Sequence, residues 1–533
     1  MHVKVYGRAW GAVVVLMCVL VVLFQSARVG IYDEAVVLMS ALQVQNGMFP
    51  GTDFFSVYGP LQPFVAAGLL SVFDGNLFAL RMYYAATVCI TLLCLGAALI
   101  RPGSATSYAV SVFFLLLGAY AFSELSFPLY PSYLLALFGA AFVFVVARFQ
   151  NANTAQVVAG LTIFISLLVL LSPMRGFVIV LMLFFAMPFH LQNTGELSLS
   201  NAARASSRLI LACLLSGALL LAYEAATGGS LRATVDFLIS EQIPVYATHR
   251  NLPIPTFSQN QDLLVPFYVP AFASVLGAIV YLSGLVRPDR TSAAFQTRLL
   301  WLLFFCAALY PSGFVRTDEP HLLPANIFAW AALLLMLTPI LERAKWRMLP
   351  LSICLLSALL WTNYAFNRLG DHNTLATECS PQDIGQSPMS CLRVGRADFW
   401  RDRQAHMADL DGFLAPDERL FVATDRHDRI FAADLTFYFM LNRLPLTRWG
   451  HLEPGIQTTR EVQTEIIAEL GEYISTNGRA VVLIQPAFEN DENNQSSISS
   501  GVTILDEYLA TCEPTMTLGN LDVRSCIEPA QTP

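Results

Sequence analysis

Lysine is nearly missing from this sequence: of 31 basic residues in 533, only Lys4 and Lys345 are lysines. That excludes a polybasic surface of the kind that holds nucleic acid. Charge of either sign is scarce as well, at 13% of residues against roughly a quarter in soluble domains, while 55% are hydrophobic. A water-soluble enzyme of this composition would precipitate. No GxGxxG, P-loop, GxSxG or HExxH string occurs, so nucleotide-driven transport and the common hydrolase chemistries have no support. There is no internal repeat, and the one low-complexity tract is the polar ENDENNQSSISS at 489–500, a surface loop.

The charge that is present is unevenly placed. The net −8 resolves into +4 over residues 1–366 and −12 over 367–533. The first part is a succession of apolar runs, each suited to a ~30 Å hydrocarbon core at ~1.5 Å per residue. About eleven transmembrane helices are expected, near 10–27, 77–100, 104–122, 131–147, 156–171, 174–190, 207–226, 264–286, 297–312, 322–340 and 348–365. Lys4 and Arg8 before the first run resemble a signal peptide, but FQSARVG at its end offers no small-residue cleavage pair, so it reads as a retained anchor.

Orientation follows from the arginines. With a cytoplasmic N-terminus, twelve basic residues, among them Arg101, Arg148 and Arg343, fall inside, and six (Arg28, Arg81, Arg175, Arg232, Arg250, Arg316) fall outside. The positive-inside rule favours this arrangement, and an odd number of spans places the C-terminal part outside the cytoplasm. The apolar segment Gly59–Gly75 is short, and counting it as a span would reverse the sidedness of Arg101 and Arg148. It is read as a helix at the outer interface, which makes the first external loop run from 28 to 76.

After Phe366, β-type runs (RLFVAT, AVVLIQ) alternate with helical patterns at 434–441, 458–474 and 502–512, as in a small α/β domain over 367–533. Cys379, Cys391, Cys512 and Cys526 all lie in it. Four cysteines allow three pairings; an oxidising compartment and short loops favour Cys379 with Cys391 and Cys512 with Cys526.

The candidate chemistry sits on the outer side, where ionisable groups near membrane depth point to function. Asp33 and Glu34 follow the first span directly, Ala35–Asn46 reads as an amphipathic interfacial helix, and Gly47, Pro50 and Gly51 turn the chain toward Asp53. A carboxylate there could deprotonate an attacking hydroxyl, or Asp33 and Asp53 could hold a divalent cation. The simpler alternative is that Asp33 and Glu34 only favour the positive N-terminal end of a helix. The second cluster is Arg316-Thr317-Asp318-Glu319-Pro320-His321. An arginine fork with a neighbouring histidine suits phosphate oxygens, and the alternative is an internal ion pair that orders a short loop. Arg175, in LLSPMRGF, is a further phosphate contact or an interfacial anchor, and Glu124 is a lone carboxylate. The long external loop 227–263 is a flap or packing for the exported domain.

The order of these features resembles the N-terminal module of the GT-C membrane glycosyltransferases, which include protein O-mannosyltransferases and lipid A aminoarabinose transferases. The features that carry the likeness are a span, Asp33-Glu34, a helix ending near Asn46-Gly47, Asp53-Phe54-Phe55, YGPLQPF, a short helix ending in FDG, and Arg81 opening the next span. RTDEPHLLPA is similar to the Arg-x-Asp-x-x-His segment late in bacterial members, and RLPLTRWGHLEPGIQTTREVQTEIIAEL is similar to the exported domain of some of them.

The resemblance implies a polytopic helical fold and transfer of a hexosyl or pentosyl group from a polyprenyl-phosphate donor to a hydroxyl of a glycan, lipid or protein, at the outer face of the cytoplasmic (inner) membrane. It makes Asp33 the general base with Glu34 beside it. Asp53 then positions the acceptor or a metal, and Arg316 and His321 bind the lipid phosphate; Asp318 and Arg175 are grouped with them as substrate-binding candidates. No cofactor is required with certainty, a divalent cation being the one candidate. The competing class is a secondary transporter or lipid flippase, which usually shows paired internal repeats.

Overall fold

The computed structural model describes residues 2–31, 33–56, 59–123, 131–148, 154–193, 195–228, 230, 232, 252–286, 292–343, 374, 392–394, 397–429, 433–450, 459–486 and 498–527. Its first half contains α1 (His2–Leu23), β1 (Arg28–Val29), α2 (Asp33–Gln45), α3 (Leu61–Val72), α4 (Leu77–Leu99), α5 (Ala105–Ser123), α6 (Pro131–Arg148), α7 (Thr154–Leu171), α8 (Pro173–Asn193) and α9 (Leu199–Thr227). The remainder contains α10 (Gln261–Val286), α11 (Ala293–Leu309), α12 (Pro311–Val315), α13 (Glu319–Arg343), β2 (Arg393–Val394), α14 (Ala397–Phe413) and β3 (Leu420–Thr424). It ends with α15 (Thr436–Met440), α16 (Arg460–Asn477), β4 (Arg479–Gln485), α17 (Ile504–Ala510), β5 (Glu513–Leu518) and β6 (Leu521–Ile527).

The chain divides into two compact units, each built from discontinuous sequence. The first comprises Met1–Ala27, Asn76–Leu221 and Ile254–Leu392 and is the membrane unit. Among the described residues, seven helices are long and apolar enough to cross a bilayer: Leu77–Leu99, Ala105–Phe122, Pro173–Asn193, Leu199–Thr227, Gln261–Val286, Ala293–Phe314 and Glu319–Arg343. The protein is thus a polytopic α-helical membrane protein. Three further expected spans appear as shorter apolar helices, Gly7–Leu23, Tyr133–Ala147 and Ala155–Leu171, and the segment at 348–365 lies outside the described residues. Of the seven, α13 is the most buried and α9 the least.

Close helix packing and internal pairing of polar groups hold this unit together, because lipid supplies no hydrogen bonds. A methyl group at Gly118 would lie 2.3 Å from Leu92 Cδ2, and one at Gly139 would lie 2.7 Å from the Phe305 ring. Pro270 has no N–H for the carbonyl of Pro266 one turn earlier, and the Asn326 amide of α13 donates to that carbonyl at 2.7 Å. The Ser111 hydroxyl donates to the Gly96 carbonyl at 2.8 Å and accepts the Trp10 indole N–H at 3.0 Å, tying α5 to α4 and α1.

The second unit comprises Arg28–Gly75, Ala222–Pro253 and Arg393–Pro533. Residues 28–75 are thus grouped with the C-terminal α/β region, and the division by contacts falls after Leu392. A four-stranded sheet in the order β3-β4-β6-β5 organises it, with β3 and β4 parallel and the other pairs antiparallel. β3 and β4 are buried almost throughout, as strands covered on both faces must be. On one face Phe421 and Ala423 pack with Phe55, Trp449, Ile466 and Leu470. On the other, Leu420 and Val422 pack with Ala35, Val36 and Met39 of α2 and with Met407 and Leu410 of α14. A disulfide joins Cys512, after α17, to Cys526 in β6. Cys379 and Cys391 lie outside the described residues, as do Glu124 and most of the loop at 227–263.

The amphipathic interfacial helix expected over Ala35–Asn46 is corrected by this packing. Every residue from Glu34 to Gln43 is buried, because the sheet core takes one side of α2 and α3 packs along another. AVVLMSAL is apolar all round a helix, and such a helix belongs in a core. α3, by contrast, ends with Val72 and Phe73 exposed, 74% and 52%.

Candidate active site

In the membrane unit the RTDEPH segment forms a tight corner between α11 and α13. α12 is a single short helix after Tyr310, and Arg316 leaves it in extended conformation. The buried Thr317 hydroxyl donates to the Gly313 carbonyl at 2.9 Å. Gly313 lets Leu322 pack closely here, since a methyl group would lie 2.3 Å from Leu322 Cδ2. Asp318 then opens α13: its Oδ1 accepts the His321 backbone N–H at 3.1 Å, an N-cap bond three residues into the helix. Pro320 falls in the first turn, where its missing N–H has no intrahelical partner to lose.

The Asp318 carboxylate is the hub of the corner. Oδ2 accepts from Arg316 Nε at 2.6 Å, and Oδ1 lies 2.5 Å from His321 Nδ1. The three side chains are 15%, 24% and 13% exposed for Arg316, Asp318 and His321, sheltered but reachable. Burial by itself pushes the Asp318 carboxyl upward; the hydrogen bond and charge of His321, and then Arg316, outweigh it and hold the group below the usual aspartate range. Arg175 lies in the first turn of α8. The sequence-predicted Arg316, Asp318 and His321 are therefore brought together, a guanidinium, an imidazole and one carboxylate at the N-terminal end of α13. Such a helix end carries partial positive charge and suits an anion.

The acidic candidates lie in the second unit. Asp33 opens α2 half-buried, and Glu34 is buried, its Oε2 accepting the Gly30 N–H at 2.9 Å. The strand before them is fixed twice: β1 pairs with β2 in parallel, Arg28 opposite Arg393, and the Ile31 carbonyl accepts the Leu435 N–H at 2.9 Å. Asp53 is exposed and closes a turn, its Oδ2 accepting the Phe49 N–H at 2.8 Å. Gly47 and Gly51, at φ +81° and +83°, take the left-handed positions the turn needs. The chain folds back only where the Met48 N–H reaches the Gln43 carbonyl, about 15 Å along α2 from Asp33. Asp33 thus opens the helix, and Asp53 lies in the turn beyond its other end. Among the described residues no group of three or more His, Cys, Asp or Glu has the arrangement of a metal site.

Arg81, which marks the outer side and opens the next span in the sequence, is 1% exposed within the first two turns of α4. A guanidinium inside a 23-residue apolar helix is itself the signal, since charge at that depth is retained for a reason.

No protein-family model and no curated protein sequence matches this chain. Solved structures do. The crystal structure of ArnT from Cupriavidus metallidurans bound to undecaprenyl phosphate superposes with a TM-score of 0.53 at 12% identity, covering 98% of each chain. The same protein in the apo state gives a TM-score of 0.56, again at 12% identity and 98% of each chain. At that identity the shared property is the fold: this chain has the fold of ArnT.

Proposed function

We propose that the protein is an integral-membrane glycosyltransferase that moves a sugar from a polyprenyl-phosphate donor to a hydroxyl of a glycan, lipid or protein acceptor. The observation that carries this reading is the Arg316, Asp318, His321 cluster at the start of α13, on a fold whose solved counterpart was crystallised bound to undecaprenyl phosphate; Arg175 joins it on the donor side. Sugar transfer from such a donor breaks the bond between the anomeric carbon and a phosphate oxygen, and the electron pair stays on the phosphate. Cationic donors held in advance at that oxygen lower the barrier without reorganising. Asp318 supplies the holding: it spends its carboxylate on Arg316 and His321, so both are ordered before a lipid arrives.

The attacking hydroxyl needs a base. Asp33 takes that role, receiving the hydroxyl proton as the oxygen bonds to the anomeric carbon. Glu34 is the poorer candidate, being buried and committed to the Gly30 N–H; it fixes the turn from which Asp33 projects. Asp53, exposed at its turn, contributes to holding the acceptor. The positive-inside count supports an inner-membrane protein with the C-terminal region on the periplasmic side, which a periplasmic reporter fused after residue 380 tests directly.

The test of function uses purified protein, undecaprenyl-phosphate-linked hexoses and pentoses carrying radiolabel, and a total envelope extract as acceptor. Wild-type protein transfers label from at least one donor. Asp33→Asn lowers that transfer by about 10²- to 10⁴-fold and leaves binding of undecaprenyl phosphate intact. Full turnover by the variant removes Asp33 as the base, and no transfer by the wild type with any donor removes the assignment.

A further inference from the structure

We propose that the buried ion pair between Arg403 and Asp434, with Thr436 and Gln485, is a positioning device for Asp33. This rests on the reading of Asp33 as the base. The pair is deep in the second unit, the two side chains 5% and 4% exposed, with Arg403 Nη1 2.5 Å from Asp434 Oδ2. Arg403 Nη2 donates to Thr436 Oγ1 at 2.8 Å, and Asp434 Oδ1 accepts from the Thr436 N–H at 3.0 Å and its O–H at 2.6 Å. The Arg403 guanidinium also lies over the Phe437 ring, 4.0 Å from its centroid. Gln485, the last residue of β4, grips the backbone of residue 434 on both sides: its Oε1 accepts the Asp434 N–H at 2.9 Å and its Nε2 donates to the Asp434 carbonyl at 3.1 Å.

This network brackets a single bond to the segment that leads into Asp33. Residues 434 and 436 are locked by side chains, and the Leu435 N–H between them donates to the Ile31 carbonyl, two residues before Asp33. The short helix that Thr436 opens, α15, packs along α2, and its Phe437 and Tyr438 lie in the same buried cluster as Ala35, Val36 and Met39. The segment that the ion pair fixes therefore holds the acidic loop at two points, by the packing of α15 along α2 and by the Leu435 bond to Ile31. Stability alone is a poor reason to keep such a pair, because well-packed apolar residues in place of a buried ion pair are often as stable or more so. What apolar residues cannot do is fix the direction of the Leu435 N–H.

The experiment replaces both partners at once. Arg403→Met/Asp434→Leu is expected to fold and to bind undecaprenyl phosphate as the wild type does. Its kcat, measured with whichever labelled donor the wild type uses, is expected to fall about 100-fold with KM for the donor unchanged, the cost of about an ångström of misplacement. Amide hydrogen exchange at Leu435 and over residues 28–34 is expected to speed up with it. If the double variant fails to fold, Thr436 decides: Thr436→Val is expected to lose about tenfold in kcat, one hydrogen-bond's worth, and Thr436→Ser to retain wild-type kcat. Wild-type kcat in the folded double variant, or in Thr436→Val, overturns the proposal. Asp33→Asn assayed in parallel separates the two ideas: full turnover there defeats the base assignment, whereas a dead Asp33→Asn with a fully active double variant defeats only the positioning role.

Discussion

Replacing Arg316 by lysine tests the phosphate side most sharply, because it keeps the charge and removes only the geometry. Arg316 donates to Asp318 through Nε at 2.6 Å. A guanidinium can make that bond along one edge and present its terminal nitrogens in another fixed direction; an ammonium is a single point of donors on a flexible stem. If lysine keeps Asp318 it loses the phosphate, and if it follows the phosphate it leaves Asp318 to His321 alone. Either way about one charge-assisted hydrogen bond disappears, roughly 1.5–3 kcal/mol, or about 10- to 150-fold in Kd. The site is sheltered, with side chains 15% and 24% exposed, so solvent does not screen the effect away. Binding of undecaprenyl phosphate to purified Arg316→Lys, followed by calorimetry in detergent, is the assay, with the melting temperature as a control for folding. Affinity within twofold of wild type in a folded variant would show that Arg316 acts as bulk charge or serves only the loop, and would refute the directional argument.

Further outcomes follow from other parts of the molecule. Cys512→Ser or Cys526→Ser opens a link across a sequence separation of 14 and is expected to cost about 3 kcal/mol, read as a lower urea midpoint; an unchanged midpoint would mean the hairpin is held without it. Gly139→Ala drives a methyl group into the Phe305 and Phe328 rings and is expected to destabilise the membrane unit by about 1–3 kcal/mol, visible in its melting temperature, unless those rings yield and the temperature stays put. The pH dependence has a definite sign. Asp428, through its hydrogen bond from Arg426 and against burial, and Asp318, through His321 and Arg316, are both held below the usual aspartate value. A carboxyl lowered in this way contributes stability that is complete above its unfolded pKa and is lost as pH falls through the folded value. Melting temperature is therefore expected not to decline between pH 7 and about pH 5, and to fall below about pH 4; a decline already at pH 6 would mean that other groups govern.

Much of the corner at the start of α13 was legible because its parts are neighbours in sequence. RTDEPH spells out an arginine, a helix cap and a histidine three residues on, and local rules suffice to bring them together. A helix next to a membrane span looks interfacial, and only the packing of α3 and α15 along α2, and its place in the sheet's core, show why it is apolar on every side. The helix Ala397–Phe413 and the hairpin of β5 and β6 were not foreseen, although alternation around Gly519-Asn520 was a signal for the hairpin.

The sequence by itself determined the solvent of each part of the chain, through long apolar runs, a dearth of charge and an acidic surplus confined to the last third. Apolar length and charge placement are properties of one-dimensional order, and a bilayer reads them directly. Only the tertiary structure decided which segments share a core. Residues 28–75 fold with 393–533 because buried side chains from both are needed to cover the two faces of one sheet. That is a matter of surfaces meeting in space, and no local pattern specifies its partner.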